Sequence, residues 1–138
     1  MKKYLIGIII VLLAAAVLCT AGCVSEQKSP QEAILGEWTN PEYFEIDSAV
    51  ANIYYIFKED NTGMVEFRSN NLAVKTVNFR WMYVDEGDEK KYYLVAYTGL
   101  PRTSGSQAQS SFLTIINNGG KDYLYIFDGY SEGLALTR

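Results

Sequence analysis

The sequence predicts an all-β domain, about eight strands in an antiparallel meander closing into a small barrel, behind an N-terminal signal or anchor segment. Three observations carry this prediction. Runs rich in Tyr, Phe, Val and Ile recur along the chain, each bounded by Gly, Asn, Asp or Pro clusters, as strands joined by turns should be. Several connections are short and carry glycine, so successive runs are expected to pair as hairpin neighbours. No segment after residue 34 reads as more than a single helical turn.

The first run is ILGEWT at 34, followed by ANIYYIFK at 51, MVEFR at 64 and AVKTVNFRWMYV at 73. The second half supplies KYYLVAY at 91, SFLTIIN at 111, DYLYIFD at 122 and GLALTR at 133. Between them lie KEDNTG, DEGDEK, NNGGKD and DGYSEG, where Gly63, Gly87, Gly119 and Gly120 are expected to supply positive φ at low cost. The segment DSAVA at 47 is expected as at most a helical turn. Eight strands suffice to close such a meander into a small barrel without exposed edges.

Residues 1–22 have the anatomy of an export signal: basic Lys2 and Lys3, the apolar run YLIGIIIVLLAAAVL, and the small residues Thr20, Ala21 and Gly22 before Cys23. This end resembles a lipobox, the recognition element of prokaryotic lipoproteins, although Thr20 stands where an aliphatic residue is usual. The resemblance implies that Cys23 is lipidated and becomes the new N-terminus. Cys19 does not fit, because Leu18 before it is too bulky. The alternative is that residues 4–21 stay as an uncleaved anchor, being just long enough. Both readings leave residues 24–138 on the outer, extracytoplasmic face of the membrane. Residues 23–33, with Pro30, read as a flexible tether, and residues 34–138 as the folded domain.

Removing residues 1–22 from the 138 leaves 116, enough for one domain with its own core. With Cys23 acylated no free cysteine remains, so no disulfide framework or thiol nucleophile is available. Loss of Lys2 and Lys3 leaves ten basic against sixteen acidic residues, a net charge of −6. A surface of that sign repels nucleic acid and anionic headgroups, and the longest basic run is only Lys90-Lys91. No nucleic-acid partner is expected.

The chain has no histidine, which removes the commonest general base and the ordinary zinc and iron sites. No motif for carboxylate, serine, lysine or tyrosine catalysis is recognisable, and neither enzymatic activity nor a cofactor is expected. The acidic turn from Asp85 to Glu89 lacks the spacing of a twelve-residue calcium loop and reads as a solvated hairpin tip.

LGEW, Leu35 to Trp38, resembles the Gly-x-Trp opening of lipocalin-like barrels. YIFKEDNTG, Tyr55 to Gly63, resembles a strand and turn recurring in small prokaryotic lipocalin-like lipoproteins. A later aromatic strand with Trp81, hairpins rich in Asn and Gly, and a final strand ending in Arg138 extend the likeness over residues 34–138. The resemblance implies a calycin-type β-barrel in which Gly36, Trp38 and Arg138 form a structural signature, with the guanidinium across the indole. Gly36 is expected to permit close strand packing. The domain is shorter than a typical ligand-carrying lipocalin and shows no long helix before its last strand.

Aromatics are the compositional excess, with ten tyrosines after Tyr4 is removed, six phenylalanines and two tryptophans. Adjacent residues of a strand point to opposite faces, so Tyr54-Tyr55 and Tyr92-Tyr93 each send one ring inward and one outward. These four and Trp81 are the candidate ligand or partner contacts. TGLPRTSGSQAQS at 98–110, with Arg102 as its one charge, is the longest polar connection of the second half and is expected as a connector at the barrel mouth. The expected function is a lipid-anchored binding module for a small apolar or aromatic ligand or an envelope component. The alternative is a structural or protein-interaction lipoprotein, inhibitor-like, whose barrel is filled by its own side chains.

Overall fold

The computed structural model describes residues 28–46, 48–88, 90–99, 110–127 and 133–138. The readings of Cys23 and the signal segment, of Arg102 and its loop, and of the DGYSEG turn lie outside the described residues.

The chain enters the domain through a five-residue helix, α1 (Pro30–Ile34). Eight strands follow: β1 (Gly36–Ile46), β2 (Ala49–Phe57), β3 (Thr62–Ser69), β4 (Leu72–Asp85), β5 (Lys91–Thr98), β6 (Ser110–Asn118), β7 (Lys121–Phe127) and β8 (Leu134–Leu136). They form one antiparallel sheet in sequence order. Thr39 and Thr137 exchange two backbone hydrogen bonds of 2.8 Å each and bring β1 to β8. The sheet is thus a nearly closed barrel, consistent with a lipocalin-like fold.

Alternation sets the two faces. In β2, Ala51, Ile53, Tyr55 and Phe57 are buried, while Val50, Asn52, Tyr54 and Ile56 between them are more open, the period of two that a half-buried strand requires. Trp38, Val65, Phe79, Trp81, Tyr93, Val95, Leu113, Leu124, Ile126 and Leu136 complete the inner wall. Each large apolar side chain so placed contributes about 1.5 to 3 kcal/mol of transfer free energy.

Three local outcomes differ from the sequence reading. Pro30 to Ala33, expected within the tether, form α1 with Ile34: Ser29 and Glu32 make a reciprocal capping box, and Pro30 occupies a position where a missing N–H costs nothing. At 47–51, where a helical turn was expected, Ser48 takes φ 66° and β2 begins at Ala49. The third outcome is that β1 runs on through Asn40-Pro41 to Ile46. A bulge between Thr39 and Tyr43 absorbs the proline, and the Asn40 side chain substitutes for the ladder by donating to the Ala135 carbonyl oxygen at 2.9 Å and accepting from the Glu42 N–H at 2.6 Å.

Two glycines exchange their expected roles. Gly36 has φ 105° with open space where a Cβ would stand, so its need is conformational and not one of close packing. Gly63 has no positive φ; a Cβ there would overlap the Phe79 ring and the Ile56 carbonyl oxygen. The positive φ of that turn belongs to Asn61, at 63°.

Candidate functional site

The two ends of the barrel differ, and the candidate site follows from that difference. The floor end gathers α1, the β2–β3, β4–β5 and β6–β7 turns, and Arg138. There the Trp38 indole N–H donates to the Ile34 carbonyl oxygen at 2.8 Å, and Tyr93 Oη donates to the Pro30 carbonyl oxygen at 2.6 Å. Arg138 lies 4.1 Å over the Trp38 ring and donates to the Ala33 carbonyl oxygen. Trp81 anchors the β2–β3 turn, its indole N–H shared between the carbonyls of Thr62 at 3.1 Å and Lys58 at 3.2 Å. Asp60 shapes the same turn by accepting from Thr62 Oγ1 at 2.6 Å and Thr62 N at 3.0 Å, which lowers its carboxyl pKa. Ile34 and Trp38 are completely buried: this end is plugged.

Above the plug, rings interlock across the barrel. Phe57 meets Phe79 with centroids 5.1 Å apart and Trp81 at 6.0 Å, and Tyr93 meets Tyr83 at 5.3 Å, spacings at which tilted aromatic pairs attract. Burial and the neighbouring Tyr83 push the Tyr93 hydroxyl up to about 12, while Arg138 acts in the opposite direction.

Nearer the mouth the inner wall changes character. Tyr55 Oη and Tyr97 Oη stand 3.1 Å apart, and Tyr97 Oη is 3.2 Å from Ser111 Oγ. Tyr55 and Ser111 are buried, whereas Tyr97, Phe67 and Val77 point inward yet remain partly open. A chain of hydroxyls therefore crosses an apolar wall beside side chains that are not sealed. Tyr97 and Ser111 were absent from the sequence candidates, although Tyr97 shares the strand parity of Tyr93 and Val95.

The candidate residues do not converge on one site. Tyr55, Tyr93 and Trp81 face the interior at successive levels. Tyr54 faces outward under Arg68, whose guanidinium lies 4.1 Å over its ring and is held by Glu66 at 2.7 Å and Glu37 at 2.9 Å. Tyr92 is outward on β5, edge-on to Phe112 at 5.4 Å. In the acidic turn, Asp85 reaches Lys91 at 3.7 Å and Glu86 reaches Lys90 at 3.9 Å. Among the described residues no group of three carboxylates, cysteines or histidines is placed to hold a metal. A cleft of about 300 Å³ at the rim of the floor is lined by Lys121, Asp122, Tyr123, Thr137 and Arg138.

Compared with known proteins, the chain matches no family model, no curated protein and no solved structure.

Proposed function

We propose that this chain is a lipid-anchored, extracytoplasmic, lipocalin-like module that takes a small and largely apolar molecule through the end of the barrel opposite α1. One observation carries the reading: inward Phe67, Val77 and Tyr97 stay partly open beside the Tyr55–Tyr97–Ser111 hydroxyl chain, while the floor is sealed. Apolar walls with a few convergent polar groups are the usual make-up of small-molecule sites. The hydroxyls would hold one polar group of the ligand, and the rings above and below its apolar body. No catalysis is assigned, for want of histidine and of any recognisable nucleophile.

Native mass spectrometry of the protein taken gently from its own membrane, beside the same sample after denaturing extraction, tests this. A mass excess lost on extraction is the expected result, and the released compound identifies the ligand class. A bare mass selects the second reading, a protein-interaction lipoprotein with a filled barrel, which the interlocked rings of the lower half support.

A further inference from the structure

The outer surface of the barrel is divided. Reading the register across β4 to β7, Met82 pairs with Leu94, Leu94 with Phe112, and Phe112 with Phe127, so four apolar side chains form one row. Met82, Phe112 and Phe127 are each about half exposed, at 54, 47 and 45 %. The next row toward the floor carries Val84, Tyr92, Thr114 and Tyr125, and beyond it Ile116 pairs with Tyr123. Rows of this kind exceed the scattered apolar residues normal on a soluble surface.

Charge divides the same way. None of the outward residues of β4 to β7 from Arg80 onward is acidic, although the chain has sixteen acids; the charged ones are Arg80 and Lys121, at opposite borders of the apolar rows. The outward side of β1 to β3 instead bears Glu37, Glu45 and Glu66. The negative charge is therefore carried off the apolar rows, on β1 to β3 and at the floor end by Asp85, Glu86, Asp88 and Asp122.

The course of α1 supplies the occupant. Its first residue, Pro30, accepts from the inward-pointing Tyr93 of β5, while its end accepts from Arg138, two residues past β8, and from Trp38 of β1. The helix therefore runs across the floor with its N-terminal end on the β5 side, the side that carries the apolar rows. Seven residue steps separate Cys23 from Pro30, a reach of at most about 25 Å. We infer that the outer face of β4 to β7 docks on the lipid bilayer, so that the anchored barrel lies on its side with Met82, Tyr92, Phe112 and Phe127 in the interfacial layer and Arg80 and Lys121 near lipid phosphates. Tyrosine and other amphipathic rings favour that layer, and basic borders favour anionic lipid. This inference rests on the anchor reading of residues 1–23; it leaves the mouth opening sideways along the membrane.

The test is photo-crosslinking of the full chain in dilute phosphatidylcholine–phosphatidylglycerol vesicles doped with a phospholipid carrying a diazirine near its glycerol. Peptides containing Met82, Phe112 and Phe127 are expected to take at least threefold more lipid adduct than those containing Tyr43 or Leu72, which are exposed elsewhere. Substituting Phe112→Ser with Phe127→Ser, both on the surface, should lower that adduct severalfold while the chain stays in the membrane. Membrane-bound protein with adducts confined to residues 1–29 would overturn the docking face and leave the anchor standing. Protein that does not associate with vesicles would overturn both. Chain-to-chain crosslinks through Phe112 in place of lipid adducts would assign the face to a second copy and overturn the inference.

Discussion

The guanidinium of Arg138 lies 4.1 Å above the Trp38 indole and donates to the Ala33 carbonyl oxygen, so one side chain ties the last strand to the first strand and to α1. Stacked cations at exposed positions such as Arg138 contribute about 0.5 to 1 kcal/mol. Arg138→Ala is expected to lower stability by about that amount, and Arg138→Lys, which keeps the charge but not the plane, to recover less than half of it. Urea midpoints read by tryptophan fluorescence measure both.

The two informative glycines should fail differently. Gly63→Ala drives a methyl into Phe79 and a backbone carbonyl, an overpacking that costs about 1 to 3 kcal/mol. Gly36→Ala meets no atom but forces a side chain onto φ 105°, a strain of about 1 to 3 kcal/mol. Adding Phe79→Leu should relieve part of the Gly63→Ala loss and none of the Gly36→Ala loss. The non-additivity of the double variants, from thermal or urea unfolding, decides the mechanism.

Stability should fall at alkaline pH through Tyr93. Its folded-state pKa of about 12 exceeds the usual value of 10.0, so the native state binds the proton more tightly than the unfolded chain does. This contribution is complete below pH 10 and disappears as pH rises toward 12. In Tyr93→Phe the alkaline slope of stability should shrink, and phenolate absorbance should lose its latest-titrating step.

On the acid side the sign reverses. Hydrogen bonds from Thr62 hold the Asp60 carboxyl below its ordinary pKa, and those from Ser29 do the same for Glu32. Their contributions are present above the ordinary carboxylate values and are lost as pH falls through the lowered ones. Asp60→Ala should flatten the acid limb of a pH–stability curve; an unchanged limb would show that the Asp60–Thr62 contact contributes nothing in solution.

At the mouth, Tyr97→Phe removes the hydroxyl that joins Tyr55 to Ser111 while keeping the ring. Ligand retention in native mass spectra, compared at equal folded fraction, is expected to drop about tenfold, the consequence of losing one buried hydrogen bond of roughly 1 to 1.5 kcal/mol, while the lost bonds to Tyr55 and Ser111 lower the unfolding midpoint as well. Equal retention in both proteins would remove the hydroxyl chain from the binding account.

What the sequence determined by itself is the strand order and the direction of most side chains. Hairpin turns place each strand beside the one before it, and a period of two forces Tyr55 and Tyr93 inward and Tyr54 and Tyr92 outward once one face is buried. The pattern could not show that Pro30–Ile34 becomes the floor. Five residues carry no helical periodicity, and α1 is held by a capping box and by partners as distant as Tyr93 and Arg138. Nor could it show that β1 runs through Asn40-Pro41, because the Ala135 carbonyl that satisfies Asn40 comes from the other end of the chain. The reasons for Gly36 and Gly63 were likewise undecided, since a glycine reads the same whether it serves a dihedral or a neighbour's ring. Only the register of β4 to β7 placed Tyr97 near Ser111 and aligned Met82, Leu94, Phe112 and Phe127 in one row, because each pairing depends on register between strands and not on spacing within one.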